Sequence, residues 1–383
     1  MTMEEKWIRA HAAAQFEMPP VLLQNVGGKT VKASVTLGTG GNALRLVLEQ
    51  RYGGDIDYGN ASIGVNGDIF PVTVNGQRHF TVHQGEQATS DVIHVPVTAG
   101  TEVELWLYVA SEQSTSNATI VPACHSVPGD FCGRPFEIES VTIEDGFPEM
   151  LCGYAGVDVR SSDDPKVVAV IGDSITAMSL WTGPVIEELL RENAKIVLLN
   201  MGISGGRLLR DTNMPSIAGI QMFGESGLSR LERDAFSIPG ISTVVIAMGV
   251  NDISLPGGMK GMSPPAEEIS TAEELIEGYR SVIRQCRERN LEVIGCTITP
   301  FGDYGTGNDR TCGIRNAVNN WIQESKEFDK VIDFAKEVSQ CEAPDRYISE
   351  YDSGDHLHPS AAGGKIMATA FLSSLLQRKN ETK

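Results

Sequence analysis

Near residue 160 the apolar residues change period, and no single layer of structure can satisfy both halves. From about residue 20 to 150 they mostly alternate, in runs at 31–37, 44–48, 69–74 and 102–109. Gly27-Gly28, residues 38–42, residues 52–58 and Asn75-Gly76 separate these runs with turn-forming types. Short period-two runs at this spacing predict an antiparallel β-sandwich, jelly-roll-like, over residues 1–160. The polar stretch 111–118 reads as an exposed loop. After a plausible linker at 161–165, continuous apolar strands at 166–172, 195–201, 243–249, 291–299 and 330–334 alternate with helical periods at 183–193, 228–236, 271–289, 315–327 and 361–375. Strands that are apolar throughout need cover on both faces, so residues 161–383 are expected to form a parallel sheet in an α/β domain.

Composition narrows the function classes. The chain has 383 residues, enough for two domains, and its 31 basic against 50 acidic side chains leave a formal charge of −19. That charge repels phosphate backbones and anionic lipid, which argues against a nucleic-acid or membrane-surface role. No apolar run approaches the length of a membrane span. The amino terminus carries early acids and no basic flank with a long apolar core, so no secretory signal is read there. Seven scattered cysteines contain no C-x-x-C pair. A reduced, cytoplasmic chain is the expectation, and the N-x-[ST] triplets at Asn60, Asn117 and Asn380 are then chance matches.

In an open α/β sheet, ligands bind beyond the carboxyl ends of the strands. The residues just past each strand are therefore informative. After the first comes Gly172-Asp173-Ser174-Ile175-Thr176, after the second Gly202-Ile203-Ser204-Gly205-Gly206, and after the third Gly249-Val250-Asn251-Asp252. Asp355-His356-Leu357-His358-Pro359 stands before the last helix. These types meet the needs of acyl transfer. A serine hydroxyl needs an imidazole to take its proton, and the imidazole needs a carboxylate to orient it. The oxyanion needs donors, which the backbone N–H groups of Ser174 and Gly205 and the Asn251 amide can supply. Asp173 suits a helix cap, and Asp252 suits a carboxylate that holds its loop by accepting backbone N–H bonds.

The ordered blocks Gly172-Asp173-Ser174, Gly205, Gly249-x-Asn251-Asp252 and Asp355-x-x-His358 resemble the SGNH (GDSL) hydrolases, a family of esterases, lipases and carbohydrate deacetylases. The resemblance covers residues 166–375 and implies a flavodoxin-like α/β/α fold. It also implies Ser174 as nucleophile, His358 as base, Asp355 as its orienting acid, and Gly205 with Asn251 completing the oxyanion hole. The stretches 203–209 and 351–359 look like a bacterial two-domain subgroup of acylhydrolases and carbohydrate esterases with a preceding β domain. Two departures alter the pocket wall: Ala177-Met178 stands where many relatives have Asp-Gly, and Gly206 where the subgroup often has Asn. Met178, Trp181 and Leu357 are candidates for an acyl pocket, or else ordinary core and rim residues.

The implied activity is serine-dependent removal of a short acyl group, acetyl above all, from a carbohydrate or similar small molecule such as an acetylated oligosaccharide. No cofactor or metal is called for, and a homo-oligomer is possible. Rival readings rest on named residues. Gly202-Ile203-Ser204-Gly205-Gly206 fits the nucleophile elbow G-x-S-x-G, which would make Ser204 the nucleophile. Against it, no HGGG-type oxyanion loop accompanies it. Asp355, His356 and His358 resemble a metal cluster, but the remaining histidines lie in the β half, and a hydrolytic zinc site wants three protein ligands. Gly38-Thr39-Gly40-Gly41-Asn42-Ala43 and Gly27-Gly28-Lys29-Thr30 imitate nucleotide loops, yet both lie between strands. A lipase or lysophospholipase-type acylhydrolase is the nearest alternative. A carbohydrate-binding protein with a vestigial hydrolase domain is an alternative of another class.

Overall fold

A computed structural model describes residues 5–18, 24–121, 124–134, 151–212, 223–258 and 263–376. The chain divides into two compact units, residues 1–165 with 195–197, and residues 166–194 with 198–383.

The first unit is built on two antiparallel sheets. One runs in the order Lys6–Ala12, Tyr154–Ser161, Ala43–Gln50, Glu86–Thr89. The other runs His125–Pro128, Lys29–Thr36, Glu102–Val109, Ile56–Val65, Asp68–Pro71, with Phe80–Val82 also paired to Ile56–Val65. Alternation places Val31, Ala33 and Val35 opposite Leu107, Leu105 and Val103 on the buried face of the second sheet. They share one core with Leu44, Leu46, Leu48, Val157 and Val159 of the first sheet, which is the packing of a sandwich.

Three parts of this unit depart from the sequence expectation. Strands Lys6–Ala12 and Tyr154–Ser161 lie outside the alternating region, and the second is buried at almost every residue. Its Asp158 is a buried carboxylate paired with Arg9 and with Arg45 at 3.0 Å, so a charged residue sits in a core strand because two guanidinium groups neutralise it. Residues 52–58 carry turn-forming types, yet strand Ile56–Val65 begins inside them. Residues 111–118 are not simply an exposed loop. Ser114–Thr115 and Asn117–Thr119 are short strands, and Thr115 to Thr119 are buried. Their polar groups are satisfied internally: Asn117 Nδ2 donates to Glu49 O at 3.0 Å and Thr119 Oγ1 to Tyr154 O at 3.1 Å.

The second unit carries a five-stranded sheet ordered Ile196–Gly202, Lys166–Gly172, Ile241–Ala247, Glu292–Cys296, Lys330–Ile332. By position in the chain this is 2-1-3-4-5, the flavodoxin-like order, and its switch point lies between the first and third strands. Both caps of the long helices explain their starts. Thr271 and Glu274 form a reciprocal capping box on Ala272–Glu288. Asn308 Oδ1 accepts from the N–H groups of Arg310 and Thr311, so helix Asp309–Glu324 begins well before residue 315, where the apolar period becomes visible. The fourth strand is shorter than expected, ending at Cys296. Beyond it, the buried Arg315 guanidinium takes the Ile298 and Thr299 carbonyls, both at 3.0 Å. Helix Ala361–Leu375 has the expected bounds. Among the described residues no helix is long and apolar enough to cross a membrane.

Candidate active site

The site grows from the carboxyl ends of the first three strands of the parallel sheet. The first strand stops at Gly172, where a Cβ would collide with the Thr176 side chain, so the turn into the next helix closes only on glycine. Asp173 then caps the four-residue helix Ser174–Ala177, accepting from the Ile175 N–H at 3.0 Å. This turn fixes Ser174 as the first helical residue. Burial pushes the Asp173 carboxyl up to about 7, against the Ile175 N–H bond and Arg230, with the nearby Asp252 charge adding to the rise.

Ser174 Oγ lies 2.7 Å from His358 Nε2, and His358 Nδ1 lies 2.6 Å from Asp355 Oδ2. The other oxygen, Asp355 Oδ1, accepts from the His358 N–H at 2.9 Å, the Leu357 N–H at 3.0 Å and the Ser353 hydroxyl at 2.8 Å. Partial burial would raise this carboxyl, but the His358 and Leu357 N–H groups, the imidazole and the Ser353 hydroxyl outweigh it and hold the group well below the usual range. A permanently ionised acceptor fixes the imidazole with Nδ1 protonated and Nε2 facing the serine. Ser204, the rival nucleophile, is not the partner of this imidazole, since His358 Nε2 is engaged by Ser174.

The second and third blocks are stitched to the first. The Ile203 N–H donates to Gly172 O at 3.1 Å. Asn200 Nδ2 donates to Thr176 O at 2.8 Å, while its Oδ1 accepts the Gly202 N–H at 3.0 Å. Gly205 has φ 74°, and a Cβ there would stand 2.5 Å from Phe223 Cγ, so both backbone and space require glycine. No acceptor among the described residues takes the N–H of Ser174 or Gly205. Asn251 is buried in helix Val250–Ser254, with its Nδ2 donating to Gly206 O at 3.2 Å. Asp252 is fully buried and accepts the Leu208 N–H at 2.7 Å and the Leu209 N–H at 3.0 Å, so the loop it holds is the one after the second strand, not its own. Burial lifts it to about 6, opposed by those two N–H groups and by Arg207 and Arg210.

Several contributors carry no sequence signal. Arg230 is fully buried and donates to Met201 O at 2.6 Å and Gly172 O at 2.8 Å, clamping the ends of two strands while pairing with Asp234 at 2.9 Å. Asp352 binds the turn that bears Asp355 and His358, accepting from the Gly354 N–H at 2.8 Å and the His356 N–H at 3.0 Å. His356 itself pairs with Asp352, Nδ1 to Oδ2 at 2.6 Å, and among the described residues no group of three or more His, Cys, Asp or Glu is disposed to hold a metal ion. Of the three candidates for an acyl pocket, Met178 is exposed, Leu357 is buried, and Trp181 is wholly in the core, its ring 5.1 Å from Phe334 and 5.0 Å from Phe371.

A sequence model of the GDSL-like lipase/acylhydrolase family matches residues 170–366, just over half of the chain and all of these blocks. The chain belongs to that family. Its second unit is accordingly an SGNH hydrolase domain, and ester hydrolysis is the chemistry of the family. Solved structures of the family's kind resemble it at low identity. A GDSL-like lipase from Bacteroides thetaiotaomicron is 16% identical, with TM-score 0.40, covering 57% of this chain and 93% of its own. The acetyl xylan esterase AlAXEase is 21% identical, with TM-score 0.40, covering 55% and 99%. A variant of Axe2, an acetyl-xylooligosaccharide esterase from Geobacillus, is 21% identical, with TM-score 0.39, covering 55% and 94%. No curated protein matches the chain.

Proposed function

We propose that this SGNH hydrolase removes short acyl groups, acetyl foremost, from a hydroxylated small molecule such as an acetylated oligosaccharide, through an acyl-enzyme at Ser174. The observation that carries the reading is the unbroken run of hydrogen bonds from Ser174 Oγ through His358 to Asp355. In the acylation step Ser174 Oγ attacks the ester carbonyl carbon as its proton passes to His358 Nε2. Asp355 stabilises the imidazolium that results. The carbonyl oxygen gains the negative charge and is received by the N–H groups of Ser174 and Gly205 and by the Asn251 amide. Collapse of this intermediate breaks the bond to the alkoxy oxygen, which takes the proton from His358 and leaves as the alcohol. Water then repeats the sequence, giving its proton to His358 and releasing the acid from Ser174.

Of the three acyl-pocket candidates, Trp181 and Leu357 are buried and Met178 is exposed. The test is a chain-length series of p-nitrophenyl esters together with acetate release from acetylated xylo-oligosaccharides. The proposal predicts that kcat/KM is highest for acetate, falls by tenfold or more at decanoate, and is accompanied by acetate release from the sugar. Highest activity on long chains or on lysophospholipid would move the protein to the lipase side of its family.

A further inference from the structure

The helix that begins at Ser174 is too short to hold itself in place. Its four residues make one turn, closed by the Ala177 N–H to Asp173 O at 2.8 Å and the Met178 N–H to Ser174 O at 2.9 Å. The leading end is anchored, since Asp173 caps it and Gly172 O takes the Ile203 N–H at 3.1 Å. The trailing end runs into Ser179, whose φ of 58° lies in the left-handed region that a residue with a Cβ enters at a cost. The next helix, Thr182–Arg191, starts from Trp181 without a side-chain cap.

Asn200, in the second strand of the parallel sheet, anchors that trailing end. Its Nδ2 donates to Thr176 O at 2.8 Å, Ser179 Oγ at 3.0 Å and Thr182 Oγ1 at 3.0 Å. One amide thus grips the nucleophile helix, the left-handed turn after it and the first residue of the next helix. Its Oδ1 accepts the Gly202 N–H at 3.0 Å. The Thr176 carbonyl can only accept and the Gly202 N–H can only donate, so the orientation of the amide is fixed and a carboxylate could not serve both. Gly202 lies directly against the helix backbone, where a Cβ would stand 2.4 Å from Ala177 N.

The two backbone donors of the proposed oxyanion hole come from these two segments: the Ser174 N–H from the helix, and the Gly205 N–H from the turn three residues past Gly202. We infer that Asn200 is a positioning residue for the oxyanion hole, which sets the separation of these two N–H groups through bonds that leave Ser174, His358 and Asp355 untouched. This rests on the proposed acyl-transfer reading of the same site and deepens it. The Gly172–Ile203 bond fastens the helix to the second segment on one side of Ser174, and Asn200 fastens it on the other. Without Asn200 a single fastening remains, about which the helix can swing. Displaced donors stabilise the transition state less, while substrate binding changes little, because the oxygen gains its charge only as the serine adds.

The test compares p-nitrophenyl acetate with its thiono counterpart, in which sulfur replaces the carbonyl oxygen. Sulfur is larger and a weaker acceptor, so aligned N–H donors favour the oxygen ester, and the oxygen-to-sulfur ratio of kcat reports their alignment. Asn200→Ala deletes the amide, and Asn200→Asp keeps its shape and the acceptor for Gly202. Thr182→Val removes one contact alone and carries the test if the Asn200 variants do not fold. The expected result is a fall in kcat on the oxygen ester of about 100-fold in N200A and N200D, with KM nearly unchanged and the ratio lowered. T182V should show a smaller fall in both. A lower kcat with an unchanged ratio in the folded variants would make Asn200 a support of the fold only and overturn the inference. So would a raised KM at wild-type kcat, or variants as active as wild type. Asn251→Ala separates this failure from that of the underlying reading. A ratio that N251A lowers and the folded Asn200 and Thr182 variants do not overturns the role of Asn200 alone. A ratio that N251A leaves intact removes the oxyanion assignment, and this inference with it. A wild type that cleaves no ester removes both.

Discussion

Asp173 is the residue at which position and protonation meet most closely. It caps the nucleophile helix through the Ile175 N–H, and burial holds its carboxyl at about 7. A carboxyl raised in the folded state contributes stability in full below its unfolded value of 3.8 and loses it as pH climbs through about 7. Asp173→Asn keeps an acceptor for the cap and removes the ionisation. The stability of D173N relative to wild type should therefore rise between pH 5 and pH 8, by about 3 kcal/mol. Denaturant titration at the two pH values checks this, and a difference that does not change with pH would mean that Asp173 is not titrating in that window. At this scale the sequence is informative wherever a role is local. Ser174 stands two residues past the end of a strand, and Asp355 and His358 share one turn, so their types and spacing are visible in a line of text. Asn200, Arg230 and Asp352 are not legible in the same way. The Arg230 bond to Gly172 O joins residues 58 apart in the chain, and nothing in the composition around Arg230 signals a buried guanidinium.

Among the elements, the strands of the parallel sheet are the most legible, because a strand buried on both faces must be apolar throughout. The short helices Ser174–Ala177, Val250–Ser254 and Phe334–Val338 are absent from the sequence expectation. Helices of four or five residues hold too little period to read; side chains cap the first and third, through Asp173 and Asp333, and the second starts from Gly249 without one. The helix Gly227–Leu231 continues into a π-helical turn, Glu232–Phe236, and carries the Arg230–Asp234 pair that clamps the first and second strands. Arg230→Met should cost about 3 kcal/mol, since it strips two strand-end carbonyls of their donor and takes one partner from a buried carboxylate. Asp234 keeps Arg233 at 2.7 Å, which limits the loss. Chemical denaturation reads the stability, and the rate on p-nitrophenyl acetate should fall with it because Gly172 leads through Asp173 into Ser174. A variant as stable as wild type would show that the clamp contributes nothing.

For the molecule as a whole, the change of period near residue 160 is the decisive sequence feature, since it separates a two-faced antiparallel grammar from a doubly covered parallel one. It conceals the members that break the grammar: the strand around Asp158, and the polar strands of residues 114–119 that are buried because their amides and hydroxyls are satisfied internally. Within the second unit, the 2-1-3-4-5 order brings the ends of the first three strands to the switch point, where Ser174, Gly205 and Asn251 gather. The central claim is that one serine of the entire chain is activated. Labelling of the folded protein with a fluorophosphonate, with peptide mapping in a mass spectrometer, tests it most directly. A single adduct is expected, on Ser174, and it should be lost in His358→Ala. An adduct on Ser204, or a folded protein that takes no label at all, would contradict the claim.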